Sequence, residues 1–249
     1  MNKLGVVTAL AAEARAFHPR REPYRPGEQL SVLDDGSLLA VSGIGYRAAG
    51  AAARALAAAP VSSLMSFGVA GGLDPKLVAG SIVLPTQVIS HDGTRFAACR
   101  SWRARLAAAL ASPQAAAHAL LAVNGNLLSS ALAIATPAQK ADAFRTSGAL
   151  AVDMESAAVA EVAASRRLPF IAIRVIVDTA SDALPRSVAA ASQSGQVQIR
   201  RLLAGLAVAP GEVTSLIRLA RRYRVAMRSL RSVAAGGAWA PLESDSYLT

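Results

Sequence analysis

The run Pro169-Phe170-Ile171-Ala172-Ile173-Arg174-Val175-Ile176-Val177-Asp178 constrains the fold more than any other stretch of the chain. It is nearly unbroken in its apolar character, rich in β-branched residues and short, so it reads as a buried strand. It finishes on an acid. A second run, Ala149-Leu150-Ala151-Val152-Asp153-Met154-Glu155, does the same. In α/β sheets ligands gather at the carboxyl ends of strands, so these acids are placed to meet a ligand. A buried carboxylate is costly unless it is hydrogen-bonded or protonated. Asp153 taken alone also reads as a helix N-cap.

Strands and helices alternate around these two runs. Residues 3–10 read as a first strand. "LSVLDDGSLLAVSG" reads as a hairpin turning at Asp35-Gly36. An alanine-rich helix is expected over 46–58. "VSSLMSFGVAGGL" reads as a strand running into a glycine loop at Gly68, Gly71 and Gly72, and "GSIVLPTQVISHD" as a strand bulged at Pro85. Helices follow at 102–111 and 137–147, the second with Thr136 as N-cap and Pro137 in its first turn, and "NLLSSALAIAT" extended between them. Strand 149–153, helix 155–166, strand 169–177 and helix 187–204 complete the pattern. The class is α/β: one domain over 1–204 with a central mixed β-sheet flanked by helices. Residues 205–249 are expected to add a basic C-terminal helix and tail.

That helix holds much of the charge. The chain has 249 residues and a net charge of +10. Between Arg200 and Arg231 lie eight arginines and a single acid, Glu212. Leu216, Ala220, Tyr223, Met227 and Leu230 recur at helical spacing, with arginines around the rest. The pattern suits a helix docked on the core with a solvated basic face, and equally an interfacial helix on anionic lipid. Nucleic acid is not expected, because only Tyr223 interleaves the arginines. A lone Cys99 and three dispersed histidines offer neither a disulfide nor a zinc pattern, so no metal or cofactor is expected. The start of the chain lacks a cleavage-type ending and no window is cleanly apolar over about 20 residues. A cytoplasmic protein, peripheral on the membrane at most, is the expectation.

Gly43-Ile44-Gly45-Tyr46-Arg47-Ala48 follows a strand and opens a helix. It fits the loose dinucleotide pattern but lacks the ribose-binding acid about 20 residues later. It reads instead as a glycine turn whose backbone N–H groups face an anion or a sugar. Glu13, at the end of the first strand, is either an ordinary early-helix acid or a partner of the other strand-end acids. His91-Asp92 reads as a polar strand end.

"GVVTALAAEARAF", "VSGIG", "SFGVAGGLDP", "GSIVLPTQVISHDG", "VDMESAAVAEVA" and "PFIAIRVIVDTASD" stand in the order seen in the nucleoside phosphorylase and nucleosidase superfamily, which the chain resembles over about residues 3–204. They look like the methylthioadenosine/adenosylhomocysteine nucleosidase branch. "DTASDALP", the arginine-rich last helix and the short middle loop are more similar to the hopanoid-associated phosphorylase group, implicated in removing adenine from adenosylhopane during hopanoid side-chain synthesis.

The resemblance implies roles. Asp178 would protonate purine N7, with Asp153 beside it on the base side. Met154 would pack on the ribose and Glu155 would bind its hydroxyls and stay ionised. Glu13 would activate water. Gly43 and Gly68 would line the nucleophile side, with Ser66, Arg15 and Arg47 as the groups nearest a phosphate co-substrate. Cleaving an N-ribosyl bond makes a cationic sugar and an anionic base, which an acid at the base and a carboxylate at the sugar would stabilise. An apolar strand end favours the protonated form of such an acid. Val69 and Ser66 replace the serine and arginine usual in phosphorylases, which favours water. The implied substrate is a nucleoside with a lipophilic 5′ group, and the implied assembly a homo-oligomer. The alternatives are a methylthioadenosine/adenosylhomocysteine nucleosidase and a non-catalytic nucleoside- or lipid-binding protein.

Overall fold

A computed structural model describes residues 3–19, 30–111, 122–185 and 213–236. The helix expected over 187–204 lies outside the described residues. Among the described residues nine strands are present: β1 (Leu4–Thr8), β2 (Ser31–Val32), β3 (Leu38–Val41), β4 (Ser63–Gly72), β5 (Ile82–Ile89), β6 (Arg95–Ala97), β7 (Ala122–Ser129), β8 (Ala149–Asp153) and β9 (Phe170–Ile176). The described helices are α1 (Ala11–Phe17), α2 (Tyr46–Ala58), α3 (Arg100–Leu110), α4 (Pro137–Ser147), α5 (Ser156–Ser165) and α6 (Val213–Ala235). Strand β6, too short and polar to carry a pattern, was not expected from the sequence.

The sheet is mixed and runs β2-β3-β1-β4-β8-β7-β5-β6, with β9 pairing to both β4 and β5. The path β4-β8-β7-β5-β9 therefore closes on itself. Strand β4 makes this closure. Its first part pairs in parallel with β1 and β9, while Gly71 and Gly72 pair antiparallel with Val152 and Ala151 of β8. The expected glycine loop is thus strand: Gly68, Gly71 and Gly72 are the last part of β4, where missing side chains let neighbouring groups approach closely. Pro85 marks a register shift against β7, as a residue without an N–H should.

Period-two alternation splits the core into two faces. Val6, Met65, Phe67, Ile171, Ile173 and Val175 pack with α1, α3 and α6. Val7, Leu64, Phe170 and Ala172 pack with the alanines of α2 and α5. Strands β1, β4, β8 and β9 are buried on both sides, which is why their sequence runs are nearly unbroken. Side chains such as Phe67 and Ile173, at 0 % exposure, each contribute about 1.5–3 kcal/mol.

Helix α6 belongs to this core. Ala226, Met227, Leu230 and Val233 are buried against it, with Leu219 and Tyr223 at the edge. The apolar stripe is rotated from the expected one, since Ala220 is exposed. Arg218, Arg221, Arg224, Arg228 and Arg231 face outward. Among the described residues no helix is long and apolar enough to cross a membrane.

Candidate active site

Three carboxylates lie buried at the carboxyl ends of β1, β8 and β9: Glu13, Glu155 and Asp178. Glu13 sits at the third position of α1, where its Oε2 accepts from the backbone N–H of Ala9 at 3.0 Å and Leu10 at 2.9 Å. Its Oε1 accepts from Val69 N–H at 2.9 Å. It is both the helix-start acid and a partner of β4. Burial pushes its pKa up, against the pull of Arg174 and these N–H groups. A methyl group on Gly68 would stand 2.6 Å from Oε1, so only glycine leaves room for this carboxylate.

The turn at Gly43 and Gly45 has positive φ at both, 84° and 103°, a conformation natural to glycine. Its backbone meets a carboxyl group of the chain itself: Gly45 N–H donates to Glu155 Oε1 at 2.8 Å. Burial first, and Asp153 second, raise the pKa of Glu155 to about 7; the ionised Glu155 implied by the resemblance is the one held by ribose hydroxyls. Met154 beside it is half-buried.

Asp153 does not face a base. Its Oδ1 accepts from Ser129 Oγ, and its Oδ2 accepts from Ser156 N–H at 3.1 Å and Arg174 Nε at 2.8 Å. The N-cap of α5 is Glu155 and not Asp153, which meets the helix start only through Ser156 N–H and otherwise forms a buried ion pair with Arg174. Ser66 is likewise withdrawn from the nucleophile side. It accepts from Arg174 Nη2 at 2.6 Å and from Ser156 Oγ at 3.2 Å. Both assignments fail for one reason: Arg174, 3 % exposed within β9, needs acceptors and takes them from β4 and β8. A lone arginine in an otherwise apolar strand was the available signal. Arg15 and Arg47 are exposed on α1 and α2. His91 and Asp92 form the turn between β5 and β6, with Asp92 accepting from Thr94 N–H at 2.9 Å.

Asp178 follows β9 and lies beside Gly71, where a methyl group would come within 3.1 Å of Oδ2. Its surroundings are not the apolar ones expected. Lys140 of α4, 0 % exposed, donates from Nζ to Asp178 Oδ2 and also to the carbonyls of Thr179 at 2.8 Å and Asp182 at 3.0 Å. The Asp182 carboxylate pairs with Arg222 of α6, which also donates to Thr179 Oγ1 at 3.3 Å. A cavity of about 250 Å³ opens here, lined by Asp178, Asp182, Ser181, Arg218 and Arg222 among others. Gly68 and Gly71 are separated by roughly 10 Å along β4.

A closed mixed sheet carrying three buried acids at its strand ends is an enzyme-like frame, and the comparisons place it. The phosphorylase superfamily matches residues 31–207. The chain belongs to that superfamily, and it is an enzyme of the nucleosidase type within it. It is 32% identical over 191 residues to a futalosine hydrolase of Streptomyces coelicolor, covering 69% of this chain and 81% of that one. It is 28% identical to a 5′-methylthioadenosine/S-adenosylhomocysteine nucleosidase of a Marinomonas species, over 57% and 69% of the two chains. In structure it is similar to the corresponding nucleosidase of Neisseria meningitidis in complex with methylthio-immucillin-A. That likeness has a TM-score of 0.69 and 19% identity, over 95% of this chain and 98% of the other. The futalosine hydrolase of Helicobacter pylori gives 0.66 and 18%, over 94% and 97%.

Proposed function

We propose that this enzyme hydrolyses the N-glycosidic bond of a 5′-substituted adenosine, with adenosylhopane of hopanoid side-chain biosynthesis as the leading substrate. Asp178 gives a proton to purine N7 as the C1′–N9 bond breaks. Glu155, with Met154 packed on the sugar, accepts hydrogen bonds from the ribose hydroxyls, and Glu13 orients and deprotonates water. One observation carries the reading. Glu13, Glu155 and Asp178 are each buried; Gly68 and Gly71 leave the room that Glu13 and Asp178 occupy, and Glu155 accepts from the Gly45 N–H. A protein that only held a nucleoside has no use for a buried proton donor beside a buried base.

Water is the favoured nucleophile. Ser66 is committed to Arg174, Arg15 and Arg47 are exposed, and two relatives similar in sequence are a hydrolase and a nucleosidase. A lipophilic 5′ group is supported by α6. This helix lines the Asp178 cavity and exposes arginines together with Ile217 and Val225, the composition of a surface that meets anionic lipid. A second reading rests on the relative at 32% identity: a soluble nucleoside such as futalosine fills the same site.

The test is base release from adenosylhopane in liposomes, futalosine, and methylthioadenosine, each with and without phosphate. Release from the hopanoid alone, independent of phosphate, is the expected result. Release from a soluble nucleoside alone would move the enzyme to that substrate, and phosphate dependence would make it a phosphorylase.

A further inference from the structure

Lys140 is one of only three lysines in a chain with 23 arginines, and it is completely buried. It interrupts a stretch from 106 to 139 that carries no charged side chain. It also sits in the first turns of α4, where the helix dipole disfavours a cation. A cation held there against both burial and the dipole needs a compensating partner. An ammonium has three donors and is compact, and three acceptors converge on it: Asp178 Oδ2, Thr179 O and Asp182 O. The helix is started at the right place by Thr136, which accepts from Gln139 N–H at 3.2 Å while Gln139 Oε1 accepts from Thr136 N–H at 3.1 Å.

From this geometry we propose that Lys140 is the positioning residue for Asp178: it fixes the carboxyl group by one oxygen and leaves Oδ1 to address the leaving base. This rests on the function proposed above. Among the described residues Oδ1 carries no hydrogen bond, while Oδ2 is taken. The remaining charges around Asp178 are Asp182 on its own segment and Arg218 and Arg222 on α6, with Asp182 and Arg222 paired to each other. Lys140 is therefore the cation bonded directly to the acid. In the reaction Asp178 first takes up a proton from water on Oδ1; the C1′–N9 electron pair then moves to the purine and that proton moves to N7. The carboxylate left behind is held by the Lys140 ammonium. Water adds to C1′ and gives its proton to Glu13.

The test compares two substrates of equal sugar. One releases adenine, which needs protonation. The other is the p-nitrophenyl riboside with the same 5′ group, whose leaving group departs as a stable anion. In Lys140→Met, adenine release is expected to fall about 100-fold or more, within the range for loss of acid catalysis. p-Nitrophenolate release is expected to change little, as in Asp178→Asn. The ratio of the two rates in one preparation cancels any loss of folded protein. Lys140→Gln provides the same ratio should Lys140→Met not accumulate. An unchanged ratio in either variant, whether both rates fall together or neither falls, overturns the proposal and leaves Lys140 a structural ion-pair partner. Failure of the wild-type enzyme to release base from any nucleoside would instead overturn the proposed function.

Discussion

Glu155 joins burial to ligand recognition at the scale of a single side chain. Its ordinary value is 4.5 and burial, with Asp153 near, lifts it to about 7. Between these values the folded chain holds a proton that the unfolded chain lacks. Its contribution to stability is therefore lost as pH rises through that window, and is largest below it. Hydroxyls donating to the carboxylate favour the ionised form. Binding of a ribose should thus expel a proton at about pH 6. Titration calorimetry of a non-hydrolysable nucleoside analogue in two buffers of different ionisation enthalpy should show this release, and Glu155→Gln should abolish it. The acids at the strand ends were visible in the sequence because each closes an apolar run. What they bond to was not. Asp153 and Glu155 are two residues apart, yet one is locked to Arg174 and Ser129 while the other takes the Gly45 N–H.

The decisive element is β4. Its first half is an ordinary central strand between β1 and β9, and its second half leaves β1 for β8. Gly68 makes room for Glu13 and Gly71 for Asp178, so backbone shape and site are one feature. Gly68→Ala should cost about 1–3 kcal/mol, typical of overpacking. It should also lower kcat through displacement of Glu13. Thermal unfolding and steady-state rates, with Gly50→Ala on the α2 surface facing α5 as the comparison, would check both. A Gly68→Ala enzyme with full activity would show that the Glu13 position is immaterial. The unbroken apolar runs and the cap at Thr136 made the strands and α4 readable in advance. The glycines were read as a loop because glycine is depleted in strands, and local propensity yields here to the approach of two carboxylates.

Taken as a whole, the molecule is one core with a basic outer helix. Removing α6 would uncover Met227, Leu230 and Val233, so truncation would test folding and not lipid binding. Substituting Arg221, Arg224 and Arg228 by Gln leaves that packing intact, since all three are exposed. At about 1 kcal/mol per charge near an anionic surface, the triple variant should bind acidic vesicles roughly 100-fold more weakly. Its melting temperature should hardly move. Co-sedimentation equal to the wild type would remove α6 from any membrane role.

The sequence by itself determined the order of strands and helices, the two-sided burial of the sheet and the identity of the strand-end acids. These depend on periodicity and on neighbours along the chain, which any local reading captures. Tertiary structure alone decided what each acid bonds to. Arg174 claims Asp153 and Ser66, and Lys140 claims one oxygen of Asp178 from 38 residues away. A buried charge must find a counter-charge in space, and the closure of β4 onto β8 and β9 sets who is within reach.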